Sequence, residues 1–436
     1  MARNISRRTF IGTIGLAAAT LAACGGNTGG GNDGGDAAAG SVYWLNFKPE
    51  LDETLQELAK TYTEAKGVTV KVVTAASGTY NQTLIAEMDK SEAPTLFVIG
   101  NSAGVKEWGD YALDLKGTDI EKLLNTDAYN LTDENGKIVS IGYCYECYGI
   151  IANAELIEKA GHSVDDIKDF ESLKKVAEDI HANAKTLGFD AFVATDMDDS
   201  SSWRVTGHLA NLEYYYEERD DGGWSECPAS IKGTYVENYK NLYDLMINNS
   251  LVEPSSLATG GHDPATQFKD GKAVFFLTGS WDYADISAAV PSVKMLPYYC
   301  GVAGEEKAGL NCGTENCWAV NANASEANQK ATIDFMVWLV TDPEASAKMV
   351  EQLGIMPYTG AVESTNGFLN DAAEYTANGC YVLDWATNYQ PNVDQYRAAL
   401  VSALNAYNAN PSDATWKDVQ TAFVDGWATQ YKAANA

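Results

Sequence analysis

SVYWLNFKPELDETLQELAKTYTEAKGVTVKVV, residues 41–73, reads as strand, helix, strand. Its first seven residues form an apolar run bounded by Gly40 and Pro49, the pattern of a buried strand. Leu51, Leu55, Leu58, Tyr62 and Ala65 then recur at helical spacing, with Pro49 near the first turn and Gly67 at the end. Residues 68–73 are rich in β-branched side chains and predict a second strand.

The alternation continues outward from this unit. Helices are predicted over 82–89, 166–187, 235–248 and 331–340, and Asp342-Pro343 caps another that ends at Gly354. Strands are predicted over 95–99, 274–277 and 318–321. Strands alternating with helices along one chain predict α/β domains with largely parallel sheets. Such sheets bind ligands beyond the carboxyl ends of their strands. That directs attention to Asn46-Phe47-Lys48, Ser77-Gly78-Thr79-Tyr80 and Gly100-Asn101-Ser102, each just after a predicted strand.

The first forty residues read as an address and a tether. A basic start with Arg3, Arg7 and Arg8 precedes an apolar run over 10–21, too short to span a bilayer, and small residues lead into Leu21-Ala22-Ala23-Cys24. Residues 1–23 are expected to be a cleaved signal peptide. Cys24 sits where bacterial lipoproteins carry their acylated cysteine, and two or more acyl chains make a stable anchor. Ser6-Arg7-Arg8-Thr9-Phe10-Ile11 resembles a twin-arginine export signal, while an ordinary secretory signal fits equally. Either route ends outside the cytoplasm, with the chain held at the outer face of the membrane. Residues 24–40 are glycine-rich and predict a flexible spacer.

Of 436 residues, 30 are basic and 60 acidic. Without the three arginines of the leader the balance is 27 against 60, a net charge of −33. Such a body is repelled by phosphate backbones and anionic lipid, which argues against a nucleic-acid partner. The four histidines lie at no metal-ligand spacing, and neither a Gly-x-Ser-x-Gly elbow nor a phosphate-binding glycine loop occurs. No metal, cofactor or enzymatic activity is expected.

Of eight cysteines, seven remain once Cys24 is acylated, an odd number. Cys144 and Cys147 have redox-motif spacing but lie in an apolar, extended run, where residues three apart face opposite sides. The interval Cys312-Gly-Thr-Glu-Asn-Cys317 is compatible with a small disulfide loop.

FKDGKAVFFLTGSW, residues 268–281, places a helix end, a buried strand and a Gly-Ser-Trp turn in succession. This resembles a signature of the family 1 extracellular solute-binding proteins, the group that includes maltose-binding protein. Val42-Tyr43-Trp44-Leu45-Asn46 resembles the family's first strand, and residues 94–99 its third, with Thr95 in place of an acid. Residues 145–153 resemble the first passage between two lobes, and residues 316–321 the second. The resemblance covers nearly all of residues 41–436 in the family's order. Ile99, Ser102 and Ala103 stand where maltose-binding protein has an aromatic and a charged pair, so only the ligand class carries over.

The resemblance implies a two-lobed, periplasmic-binding-protein-like α/β fold of type II, with hinged lobes and a ligand cleft between them. The first lobe is expected to hold 41–145 and 314–378, the second 146–313 and 379–436. It further implies a monomeric carbohydrate-binding lipoprotein that delivers an oligosaccharide to the permease of an ABC transporter. The alternatives are a binder of a polyamine or peptide, or a surface enzyme acting on glycans. A sugar needs aromatic plates for its C–H faces and side chains that donate and accept hydrogen bonds. Trp281 and Trp203 are the candidate plates, and Asn46, Lys48, Asn101 and Glu146 the candidate polar partners. Trp44, Trp318 and Trp338 lie in apolar runs and are expected in the core.

Overall fold

A computed structural model describes residues 40–435 except Ser77, Ala194 and Asp199. The expected signal peptide, Cys24 and the spacer up to residue 39 lie outside these residues.

The first five strands are β1 (Val42–Asn46), β2 (Val70–Thr74), β3 (Leu96–Val98), β4 (Asn130–Thr132) and β5 (Ile138–Gly142). Next come β6 (Glu146–Asn153), β7 (Asp190–Phe192), β8 (Ala273–Gly279), β9 (Val293–Leu296) and β10 (Ala308–Gly313). Strands β11 (Cys317–Val320) and β12 (Tyr381–Leu383) follow. They form two sheets, one in the order β2-β1-β3-β11-β5-β4 and one in the order β12-β10-β6-β8-β7, with β9 also on β6.

The opening unit folds as its sequence dictates. β1 and β2 pair in parallel around the helix Asp52–Lys66, which Gly67 ends in the left-handed conformation with φ of 70°. Helix Pro343–Leu353 starts where Asp342 accepts hydrogen bonds from the backbone N–H groups of Glu344 and Ala345. The expectation of largely parallel sheets needs correction. β11 runs antiparallel to β3 and β5 in the first sheet, and β6 antiparallel to β8 and β10 in the second, because each is the strand by which the chain enters from the other sheet without a crossover helix.

Each sheet has its own core. Trp44 and Trp318 are fully buried in the first and meet edge to face at 5.9 Å, while Trp338 packs at its margin. In the second, β6 is covered on both faces, so it reads as one apolar run. Tyr148, Ile150 and Ala152 enter one cluster, and Cys147 and Ile151 the other. Fully burying a side chain of leucine or phenylalanine size contributes roughly 1.5–3 kcal/mol, so these clusters hold each sheet and its helices together.

The chain leaves the first sheet for the second at residues 143–145 and returns at 314–316. The two links run side by side, Tyr143 N–H donating to the Asn316 carbonyl at 2.9 Å. Tyr145 N–H donates to the Ile355 carbonyl at 2.7 Å, tying a third segment to them. Helix Gly367–Ala377, expected with the first sheet, instead packs on β6, β9 and β10, with Phe368 and Leu369 beside Cys147 and Phe276. The Cys312–Cys317 loop is not closed. Both thiols are free, because the interval between them carries the chain from one sheet to the other. Among the described residues no helix is long and apolar enough to cross a membrane.

Candidate functional site

At the end of β1, Asn46 shapes the chain that follows it. Its Oδ1 accepts from Lys48 N–H at 3.0 Å, while its Nδ2 donates to the Lys48 carbonyl at 2.6 Å and to Thr74 Oγ1 at 3.1 Å. Asn46 is therefore a positioning residue for Lys48. The Lys48 ammonium, only 6% exposed, donates to Glu146 Oε1 at 2.9 Å and lies 3.2 Å from Glu50 Oε1. Glu146, at the first residue of β6, receives a second bond on Oε2 from Asn316 Nδ2 at 2.8 Å. One carboxylate thus links the end of β1 with both strands of the crossing.

The electrostatics follow from burial. Desolvation pushes the Lys48 ammonium down, but Glu146 and Glu50 outweigh it and hold the group above its ordinary range. Burial pushes the Glu146 carboxyl up, and Lys48 pulls it back. Neither charge would be tolerated here alone.

Trp281 stands beside this pair, its ring centroid 5.5 Å from Lys48 Nζ. It lies on the tight turn Ser280–Asp282 after β8. The turn is braced because Ser280 Oγ accepts from Cys147 N–H at 3.1 Å, Ser280 O accepts from Asn366 Nδ2 at 2.7 Å, and Thr278 Oγ1 donates to Asp282 Oδ2 at 2.5 Å. Trp203 lies 5.9 Å from Trp281 between centroids, its own indole N–H donating to the Ser200 carbonyl at 2.8 Å. Both indoles are half-buried.

Asn46, Lys48, Glu146, Trp203 and Trp281 are thus brought together. Asn101 takes part in none of these contacts. Its Oδ1 accepts from Gly104 N–H at 2.8 Å and caps the helix Ser102–Trp108. Sequence reasoning did not single out Asn316 or His208 for the site, and reached Arg204 only as the neighbour of Trp203 after the polar stretch 196–202. Asn316 carried a signal only through its place at the second passage. His208 carried none, because the turn that presents it has no sequence signature.

The arrangement offers aromatic faces beside fixed, charge-assisted donors and acceptors, which suits a polar guest with apolar faces. Among solved structures, the chain resembles RafE bound to raffinose at 19% identity and a TM-score of 0.69, over 91% of this chain and 100% of that one. It also resembles a Bacillus licheniformis sugar transporter with stachyose, at 18% identity and a TM-score of 0.65, over 89% and 100% of the two chains. GacH of Streptomyces glaucescens, solved unliganded and with acarbose, gives 19% and 0.61 over 91% and 98%. At these identities the likeness is one of fold, the two-lobed α/β architecture of solute-binding proteins. Among curated proteins none matches this sequence. The model of the bacterial extracellular solute-binding protein family matches residues 57–377, and the chain belongs to that family.

Proposed function

We propose that this protein captures an uncharged oligosaccharide outside the cell and hands it to the permease of an ABC transporter, tethered to the membrane by acylated Cys24. In this reading β1–β5 and β11 form the core of one lobe, β6–β10 and β12 that of the other, and the crossing segments form the hinge. The carrying observation is the Lys48–Glu146–Asn316 cluster beside the indoles of Trp203 and Trp281. It supplies polar groups from both sides of the crossing next to flat aromatic surfaces. The raffinose, stachyose and acarbose found in structures of like fold support the same class of guest. Both oxygens of Glu146 are engaged by cation and amide, which favours a fixed acceptor over a proton-transfer group.

Thermal shift with a panel of neutral glycans, polyamines and short peptides, followed by product analysis, tests the assignment. Stabilisation by a glycan without turnover is expected. Stabilisation by a polyamine alone would overturn the carbohydrate assignment, and released monosaccharide would overturn the binding one.

A further inference from the structure

Residues Arg204–Leu209 form a π-helical turn, a rare geometry that recurs at functional sites. The turn carries Arg204 and His208 into the aromatic cluster. His208 stacks on Tyr148 at 4.0 Å with the rings nearly parallel, and its ring centre lies 4.9 Å from Trp203 and 5.3 Å from Trp281. The Arg204 guanidinium lies 4.1 Å from the centre of the Trp203 ring. Its Nη2 is 4.0 Å from Asp282 Oδ2, beyond hydrogen-bond distance. The Arg397 guanidinium lies against Gly207 in the middle of the turn, 2.9 Å from where a Cβ would stand.

Five buried polar atoms in this neighbourhood have no hydrogen-bond partner among the described residues: Tyr148 Oη, Arg204 Nε, His208 Nδ1, Tyr298 Oη and Trp385 Nε1. Tyr148 joins them, lying 5.8 Å from Tyr298 and 5.2 Å from Trp385 between ring centres. The atoms come from four separate chain segments. Each unpaired buried group costs roughly 1–3 kcal/mol, so their convergence calls for a guest that bonds them.

Their chemistry selects that guest. Arg204 Nε and Trp385 Nε1 can only donate, while the tyrosine hydroxyls donate or accept. Burial, with Arg397, Arg204 and Lys48 nearby, holds His208 well below its ordinary pKa, so its ring is neutral and its Nδ1 either donates or accepts. An ammonium cannot accept from Arg204 Nε or Trp385 Nε1 and is excluded, while an anion would leave the accepting side of the tyrosine hydroxyls unused. A hydroxyl serves both.

We infer that Tyr148, Arg204, His208, Tyr298 and Trp385 form a polar wall that hydrogen-bonds the hydroxyls of a neutral sugar ring seated against Trp203 and Trp281. This rests on the sugar-binding reading and extends it to residues of the second sheet and the π turn.

Calorimetric titration of the whole chain with a panel of neutral mono- and oligosaccharides, including raffinose, stachyose and a chitin oligosaccharide, tests it. The sugar that binds the unmodified chain is then titrated into His208→Phe, Arg204→Met and Tyr298→Phe. Affinity is expected to fall at least about tenfold in each. The ligand-free melting temperature of His208→Phe and Tyr298→Phe should hold or rise, because an unpaired polar atom has been removed. A merely structural role would lower it. Variants that bind as tightly as the unmodified chain overturn the wall while leaving the sugar reading intact. A panel in which no sugar binds the unmodified chain sinks both. Should His208→Phe or Arg204→Met fail to fold, Tyr298→Phe decides alone, since it removes one oxygen from a buried ring.

Discussion

The indole of Trp281 lies across Gly279, so that a Cβ built on the glycine would come within 2.2 Å of Cη2 and 2.3 Å of Cζ3. Only a residue without a side chain permits this approach. Gly279 has an extended backbone, φ of −130°, which alanine adopts without strain.

The substitution Gly279→Ala should therefore move the ring rather than break the strand, because Trp281 is half-buried and free to shift. Affinity for the glycan that binds the unmodified chain is expected to fall at least about tenfold, which is about 1.4 kcal/mol. Trp281→Ala should lose as much, and the double variant little more. Additive losses, measured by calorimetry, would mean that the two residues do not act through one contact.

Lys48 and Glu146 are separated by 98 positions and are the charged link between the end of β1 and the crossing. Glu146→Ala leaves the ammonium buried with only the partly exposed Glu50 beside it. A loss of about 3–5 kcal/mol is expected in urea unfolding. Combining it with Lys48→Met removes both charges and should recover much of that loss. If the double variant is as unstable as the single one, the cost comes from packing and not from the stranded charge.

Strands β1, β3, β8 and β11 were legible in sequence because both faces of each are covered, which makes a run such as AVFFLTG continuous rather than alternating. Caps were legible at Gly67 and Asp342, where one residue type satisfies a local need. The antiparallel members of each sheet were not, since β6 and β11 owe their direction to a chain that enters from the other sheet. Within the site, Trp281 and Glu146 stood out as a tryptophan after a glycine-serine turn and an acid in an apolar run. Asn101 shows the limit of such reasoning. An asparagine just after a strand is equally an N-cap, and its Oδ1 here serves the helix that follows. His208 was invisible because nothing in Arg-Val-Thr-Gly-His-Leu marks a π turn.

The seven cysteines of the described region are all free, six of them buried and Cys380 partly exposed. Burial pushes the Cys227 thiol up to about 11 and the Cys317 thiol up to about 12, so neither supplies thiolate at neutral pH. In the folded protein a chromogenic disulfide reagent should react with Cys380 and leave the six buried thiols untouched. After unfolding, all seven should react, with or without prior reductant. A count that rises on reduction would reveal a disulfide and overturn the free-thiol assignment.

Glu213 and Glu217 lie one turn apart on the helix Asn211–Asp220 and hold the segment leading into the helix Val236–Asn248. Glu213 Oε2 accepts from Tyr235 N–H at 2.5 Å, and Glu217 accepts from Lys232 N–H at 2.6 Å and Gly233 N–H at 3.0 Å. Burial first, then the neighbouring Glu217, pushes the Glu213 carboxyl from 4.5 up to about 9. Between those values the folded chain keeps a proton that the unfolded chain releases. Stability from this group is therefore greatest in acid and is lost as pH rises toward 9, by at most about 1.4 kcal/mol per pH unit. Glu213→Gln keeps a neutral group of the same shape and abolishes that slope. Relative to the unmodified chain, it should gain stability between about pH 5 and pH 8, up to about 4 kcal/mol, in parallel urea unfolding series. Equal pH slopes in the two proteins would show that Glu213 is ionised in the folded state and that the backbone N–H groups alone carry its charge.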